Sequence, residues 1–216
     1  MKIVVDQAQD RTVALEQQLE EKEILLEELR HRMKNDLTMI SSLISLKNKS
    51  VGDEIDLSDL QLRIDAMRQV HEKIHRVDGA GYVRIKEYIE DLLTTIFSAY
   101  TENEVWREID IDYVSLKVRK AIPIGLIVNE MAINALQHGF NEETESWFTV
   151  RLHRRRDHYY DLIIENTGNP FPQHIDTENP KTLGLQLVST LAGQLQGQLD
   201  IKRSPYPVFT IRFPYE

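Results

Sequence analysis

The chain has 216 residues, 41% of them hydrophobic, and a net charge of −9, enough for one domain with a helical extension or for two modest domains. The acidic balance disfavours a broad nucleic-acid surface, so no nucleic-acid partner is expected. Cysteine is absent, which excludes disulfides and thiolate metal sites, and no apolar run approaches the length needed to span a bilayer; with an N-terminus too short and too acidic for a signal peptide, the chain is expected in the cytoplasm with no membrane segment.

From Val13 the sequence reads as one helix. Leu15, Leu19, Leu26, Leu29, Met33 and Ile40 fall on a heptad seam that Lys22 and Asp36 interrupt, the spacing of a coiled coil. Past Met33 the apolar stripe widens to Leu37, Leu43, Ile44 and Leu46, which suits a four-helix bundle better than a two-stranded coil. "NKSVGDE" at 48–54 breaks the helix. A second helix over about 57–75 carries Leu60, Ile64, Met67, Val70 and Ile74 on one face. One such hairpin buries too little to be stable alone, so pairing of two copies in a homodimer is expected.

"VDGAGY" at 77–82 reads as a linker. Beyond it the spacing predicts a helix over about 85–100, a strand in "EIDIDY", a helix over about 121–138, and strands in "WFTVRLH" and "YYDLII". A glycine-bearing loop follows, then a helix over about 183–194, and strands in "QLDIKR" and "VFTIRF". Strands with segregated helices imply an α+β two-layer sandwich. The basic run "RLHRRR" at 151–156 reads as a solvated strand face.

Three segments carry candidate chemistry. In "RHRMKND" at 30–36, His31 lies among Arg30, Arg32 and Lys34, and if Leu26 and Leu29 hold the a and d positions it points away from the seam. A histidine that attacks a phosphoryl donor must be exposed and neutral, and the nearby cations would stabilise the group in transit. In "NEMAINALQHGF", Glu130 and Asn134 are four apart and share a helix face. Together they would hold a magnesium ion and position or deprotonate a nucleophile. Taken alone, Glu130 reads as a solvent-facing helix residue, whereas Asn134, between Ala132 and Ala135, needs a partner. In "IIENTGNPFP" and "KTLGLQLV", a strand ends at Asn166, Gly168 permits a sharp turn, and Thr182 and Gly184 open a helix whose N–H groups suit a phosphate.

In this order the segments resemble the bacterial sensor histidine kinases, in particular the branch whose phosphoacceptor box reads H-R-x-K-N-x-L, here "HRMKNDL". The resemblance runs over about 22–214 through "MRQVHEKI", "KEYIEDLL", "IGLIVNEMAINALQHGF" and "NPKTLGLQLVSTLAGQLQGQLDI". It implies an N-terminal coiled-coil helix over 1–21, a dimerisation and histidine-phosphotransfer hairpin over 22–77, and an ATP-binding domain over 84–216 of the kind shared with gyrase and Hsp90-type chaperones. It further implies ATP and Mg2+ as cofactors and the receiver domain of a response regulator as partner. His31 matches the phosphoacceptor, Glu130 the acid four residues before the magnesium-binding asparagine, and Asn134 that asparagine. Gln137, His138, Asn166, Gly168, Thr182, Leu183, Gly184 and Leu185 fall at nucleotide-site positions, and Asn35 would orient a water for phosphatase action.

The sequence departs from the family at three of these positions. The glycine loop, usually D-x-G-x-G, reads Asn166-Thr167-Gly168-Asn169-Pro170. Asn166 keeps an acceptor oxygen but loses the charge, at a cost of roughly 1.5–3 kcal/mol. Glu165 cannot substitute, because strand alternation sends it to the opposite face. Gln137 replaces the usual lysine before His138. A working kinase is the first reading; a phosphotransfer or docking module impaired in ATP binding is the second, and a pure coiled-coil scaffold the third.

Overall fold

The computed structural model of the protein describes residues 82–100, 104–141, 143–177, 180 and 182–215. The seam, the hairpin, His31 and Asn35 lie outside the described residues, as do the four-helix bundle and homodimer expected of them.

Strand β1 (Tyr82–Arg84) leads into helix α1 (Ile85–Tyr100). Strands β2 (Trp106–Ile111) and β3 (Ser115–Lys117) precede helix α2 (Val118–Asn134), and β4 (Trp147–Arg154) and β5 (Tyr159–Asn166) follow it. Helix α3 (Leu183–Gln194) and strands β6 (Gln198–Lys202) and β7 (Val208–Pro214) close the order. Five strands form one mixed sheet, β2-β4-β5-β7-β6, parallel between β2 and β4 and antiparallel elsewhere. The short strands β1 and β3 pair separately. At three residues each they are too short to show alternation, and Tyr82, expected to end the linker, opens β1. β2 starts two residues before the expected "EIDIDY" and stops at Ile111. There the Asp112 carboxylate takes the Arg154 N–H at 2.6 Å, diverting that donor to a side chain.

Alternation along the strands builds two unlike sheet faces. Phe148, Val150, Leu152, Leu162, Ile164, Phe209, Ile211 and Phe213 are buried on one. The other is charged: Arg151 bridges Glu108 and Glu165, each at 3.3 Å, His153 lies 3.4 Å from Asp110 and 3.5 Å from Asp112, and Arg155 meets Asp161 at 2.6 Å. Arg151 and His153 of the basic run thus share one face of β4, paired with acids where the sequence predicts a solvated face, while Leu152 lies on the buried face and Arg155 follows the strand. Glu165 faces away from Asn166 for the same reason.

α1 buries Ile85, Tyr88, Ile89, Leu92, Leu93, Ile96 and Phe97, a single apolar stripe at helical spacing. α2 is buried almost all round, from Val118 to Ile133, as a helix apolar on every side must be. It begins three residues before the expected Ala121. This burial overturns the solvent-facing reading of Glu130, which is 2% exposed and is not without a partner. A Cβ at Gly125 would overlap the Tyr88 hydroxyl, so glycine is what lets α1 pack against α2 there. Among the described residues that hydroxyl has no hydrogen-bond partner, and burial pushes its pKa well up.

Candidate functional site

The site forms where α2 ends. The expected α-helix to His138 instead widens into a π-helical turn over Ala135–Gly139, closed by the Phe140 N–H donating to Ala135 O at 2.8 Å. Such turns recur at functional sites. The last carbonyls of a helix need outside donors, and Asn169 supplies them: its N–H donates to Gly139 O at 2.7 Å and its Nδ2 to His138 O at 3.1 Å. Asn141 Nδ2 donates in turn to Asn169 Oδ1 at 3.1 Å. The helix end and the loop after β5 are thus bolted together. Gly168 takes φ +106°, the left-handed region glycine tolerates, and a Cβ there would overlap Gly139 O.

Beside this crossing lies a cavity of about 490 Å³. Asn134, Gln137 and His138 reach it from α2 and the π turn, Asn166 from the end of β5, and Thr182, Gly184 and Leu185 from the start of α3. Seven sequence-predicted residues from three separated segments therefore line one cavity. Glu130 does not line it; it lies one turn before Asn134. Gly168 forms the crossing behind it. Leu183 opens α3, with its side chain outside the described residues.

Asn166 is 7% exposed, and its Nδ2 donates to Thr167 O at 2.8 Å. That bond fixes the amide, since a flipped group would set oxygen against oxygen. Oδ1 is thereby left as the acceptor of the amide.

Asn169 and Pro170 of the glycine loop line the cavity as well, and sequence reasoning missed the rest: Met131, Gly139, Phe171, Pro172, Ile175, Pro207 and Phe209. The signal was present in "NPFPQHI", where Phe171 and Ile175 occur in a stretch that Pro170 and Pro172 keep from being helix or strand. Large apolar residues in an irregular stretch need something to pack on. A largely apolar cavity with a few convergent polar groups suits a small molecule with a flat apolar part and a polar remainder.

The fold is that of a histidine kinase domain. The histidine kinase domain of the blue-light-activated histidine kinase from Erythrobacter litoralis EL346 superposes with a TM-score of 0.65 at 21% identity, over 82% of this chain and 84% of that one. Another structure of that kinase gives a TM-score of 0.69 at 24% identity, over 88% and 62%. In sequence, residues 28–100 match the histidine kinase family model HisKA_2. The chain is 26% identical over 201 residues to Blue-light-activated histidine kinase 2 of Erythrobacter litoralis, covering 90% of this chain and 56% of that protein. It is 26% identical over 191 residues to the sensor histidine kinase PdtaS of Mycobacterium tuberculosis, covering 84% and 37%. The chain thus spans roughly half or less of the curated relatives it matches. Among the described residues, no helix is long and apolar enough to cross a membrane.

Proposed function

We propose that the chain is the core of an ATP- and magnesium-dependent protein-histidine kinase that phosphorylates itself on His31 and passes the phosphoryl group to an aspartate of a response regulator. The observation that carries this reading is the convergence of Asn134, Gln137, His138, Asn166, Thr182, Gly184 and Leu185 on one cavity. The apolar lining would take the adenine ring, and Asn166 Oδ1 would accept from its exocyclic amine. The first N–H groups of α3, beside Gly184, would face phosphate oxygens.

Magnesium is commonly held by one or two protein oxygens together with substrate phosphates. Asn134 offers one such oxygen, and among the described residues no group of three or more His, Cys, Asp or Glu side chains is placed to hold a metal ion by itself. A magnesium ion there would depend on the nucleotide's own phosphates, and its charge would neutralise them. Buried Glu130, one turn away, would orient or deprotonate the attacking imidazole. Positioning and electrostatics would supply most of the catalysis, as in phosphoryl transfer generally.

The test is labelling by ATP together with a fluorescent-ATP titration with and without magnesium. Wild type is expected to bind and to label, and His31→Gln to bind equally and lose the label. Full labelling of His31→Gln removes that residue as phosphoacceptor. Binding too weak to measure in wild type would favour the docking module, for which the missing carboxylate at position 166 speaks.

A further inference from the structure

One wall of the cavity is neither helix nor strand. Residues 171–177 supply Phe171, Pro172 and Ile175 to the lining. A stretch with no ladder of its own must find partners elsewhere for its backbone groups. Here a single side chain holds two of its carbonyls. Arg203, the first residue after β6, donates from Nη1 to Pro172 O at 2.6 Å. Its Nη2 donates to Ile175 O at 2.8 Å and to Thr177 Oγ1 at 3.4 Å. The guanidinium carbon lies 5.2 Å from the centre of the Phe171 ring, and the Arg203 carbonyl accepts the Phe171 N–H at 2.9 Å. Phe171 in turn packs edge-on against Phe209 with centroids 5.7 Å apart. Arg203 is not itself among the lining residues. A rigid fork of donors can hold two carbonyls of one bend at once while its plane covers a ring; an ammonium group cannot.

We propose that Arg203 is a positioning residue of the nucleotide pocket: it holds residues 171–177 in place as a wall and so sets nucleotide affinity without touching the nucleotide. The proposal rests on the reading of the cavity as a nucleotide site. Without the fork, the wall is formed for only part of the time, and apparent affinity falls by that fraction. A wall present one-tenth of the time raises the apparent Kd about tenfold.

The experiment uses the full chain as wild type, Arg203→Met and Arg203→Lys. Affinities for magnesium-ATP and for adenosine are read by competition with a fluorescent ATP analogue, and the phosphorylation rate is read at saturating ATP. Arg203→Met is expected to raise the Kd of both ligands by a similar factor, about five- to tenfold. The saturating rate should stay within about twofold of wild type, a loss of binding and not of chemistry. Arg203→Lys should recover only part of the loss. Amide exchange over 171–177 should speed up while that of β5 does not, which separates a loosened wall from a destabilised fold. Unchanged affinities would overturn the proposal. So would a loss for ATP but not for adenosine, which would make Arg203 a phosphate contact. A lower saturating rate at unchanged affinity, or exchange raised equally throughout, would also overturn it. Wild type that binds neither ligand would instead remove the nucleotide reading, and this inference with it.

Discussion

The two walls of the cavity are made by different means. On one side, α2 is fixed by repeating backbone hydrogen bonds and by burial on nearly every face, and the π turn continues its hydrogen-bonded backbone. On the other, residues 169–177 have no repeat and are held by individual bonds from Asn169 and Arg203. A repeating wall shares a perturbation over many contacts, whereas a bolted wall loses its shape when one bolt goes. The first kind suits groups that must keep a fixed geometry, such as Asn134 and Glu130. The second suits a surface that closes around a ligand.

The largest effect is expected where the walls meet. Gly168→Ala puts a Cβ into a left-handed position and against Gly139 O, where backbone strain and overlap add. It should cost more than about 2 kcal/mol in stability, read as a lower denaturant midpoint, and should weaken nucleotide binding as well. Loss of neither would mean that the crossing is not tight.

Next comes the repeating wall alone. Gly125→Ala drives a methyl group into the Tyr88 hydroxyl and should cost about 1–3 kcal/mol. Tyr88→Phe removes a buried hydroxyl that has no partner among the described residues and should be neutral or slightly stabilising. Combined, the two should be less damaging than their sum, because the phenyl ring leaves more room. Both variants should bind nucleotide normally while folded; weakened binding would show that strain in α2 reaches the site.

A smaller effect sets affinity against stability, because an aspartate at position 166 cannot donate to Thr167 O and sets an oxygen against that carbonyl. Asn166→Asp restores a charged acceptor at the end of β5 and should improve ATP affinity by about 1 kcal/mol, roughly fivefold. The gain should favour ATP over GTP, which presents a carbonyl oxygen where ATP has its amine. If ATP affinity stays unchanged, Asn166 is not the adenine reader.

The smallest effect lies outside both walls. The Arg154 N–H donating to Asp112 holds that carboxyl below the usual carboxylate range, and the His153 ring adds to the effect. A folded pKa below the unfolded one gives stability that is present above about pH 3.9 and is lost as pH falls through the lower folded value. Asp112 is 42% exposed, so after solvent screening its contribution is less than about 1 kcal/mol. Asp112→Asn should remove that part of the acid dependence and leave nucleotide affinity alone; a change in affinity would tie the open sheet face to the cavity.

The same division decides what could be read from sequence. The stripe of Ile85, Ile89, Leu92 and Ile96 and the alternation of Phe148, Val150 and Leu152 repeat with the period of their elements, so helices, strands and sheet faces were legible. Residues 183–194 were placed to the residue. Asn134 was legible as a candidate because an amide stands out between two alanines, whereas Asn166 and Gly184 became candidates through the resemblance to the histidine kinases. The burial of Glu130 was not, because it depends on what covers α2 and not on spacing. Asn169 and Arg203 were invisible for a related reason. Each acts on backbone carbonyls far away in sequence, and a carbonyl leaves no trace in residue identity.

The stacked pair Trp106 and Trp147, paired in register across β2 and β4 with ring centroids 5.8 Å apart, has one further consequence. They are the chain's two tryptophans, and both are partly exposed, at 48% and 38%. All indole emission from the protein therefore comes from one edge of the sheet. Its intensity and near-ultraviolet dichroism will report the parting of β2 from β4, and they offer a built-in optical marker for that edge that needs no label.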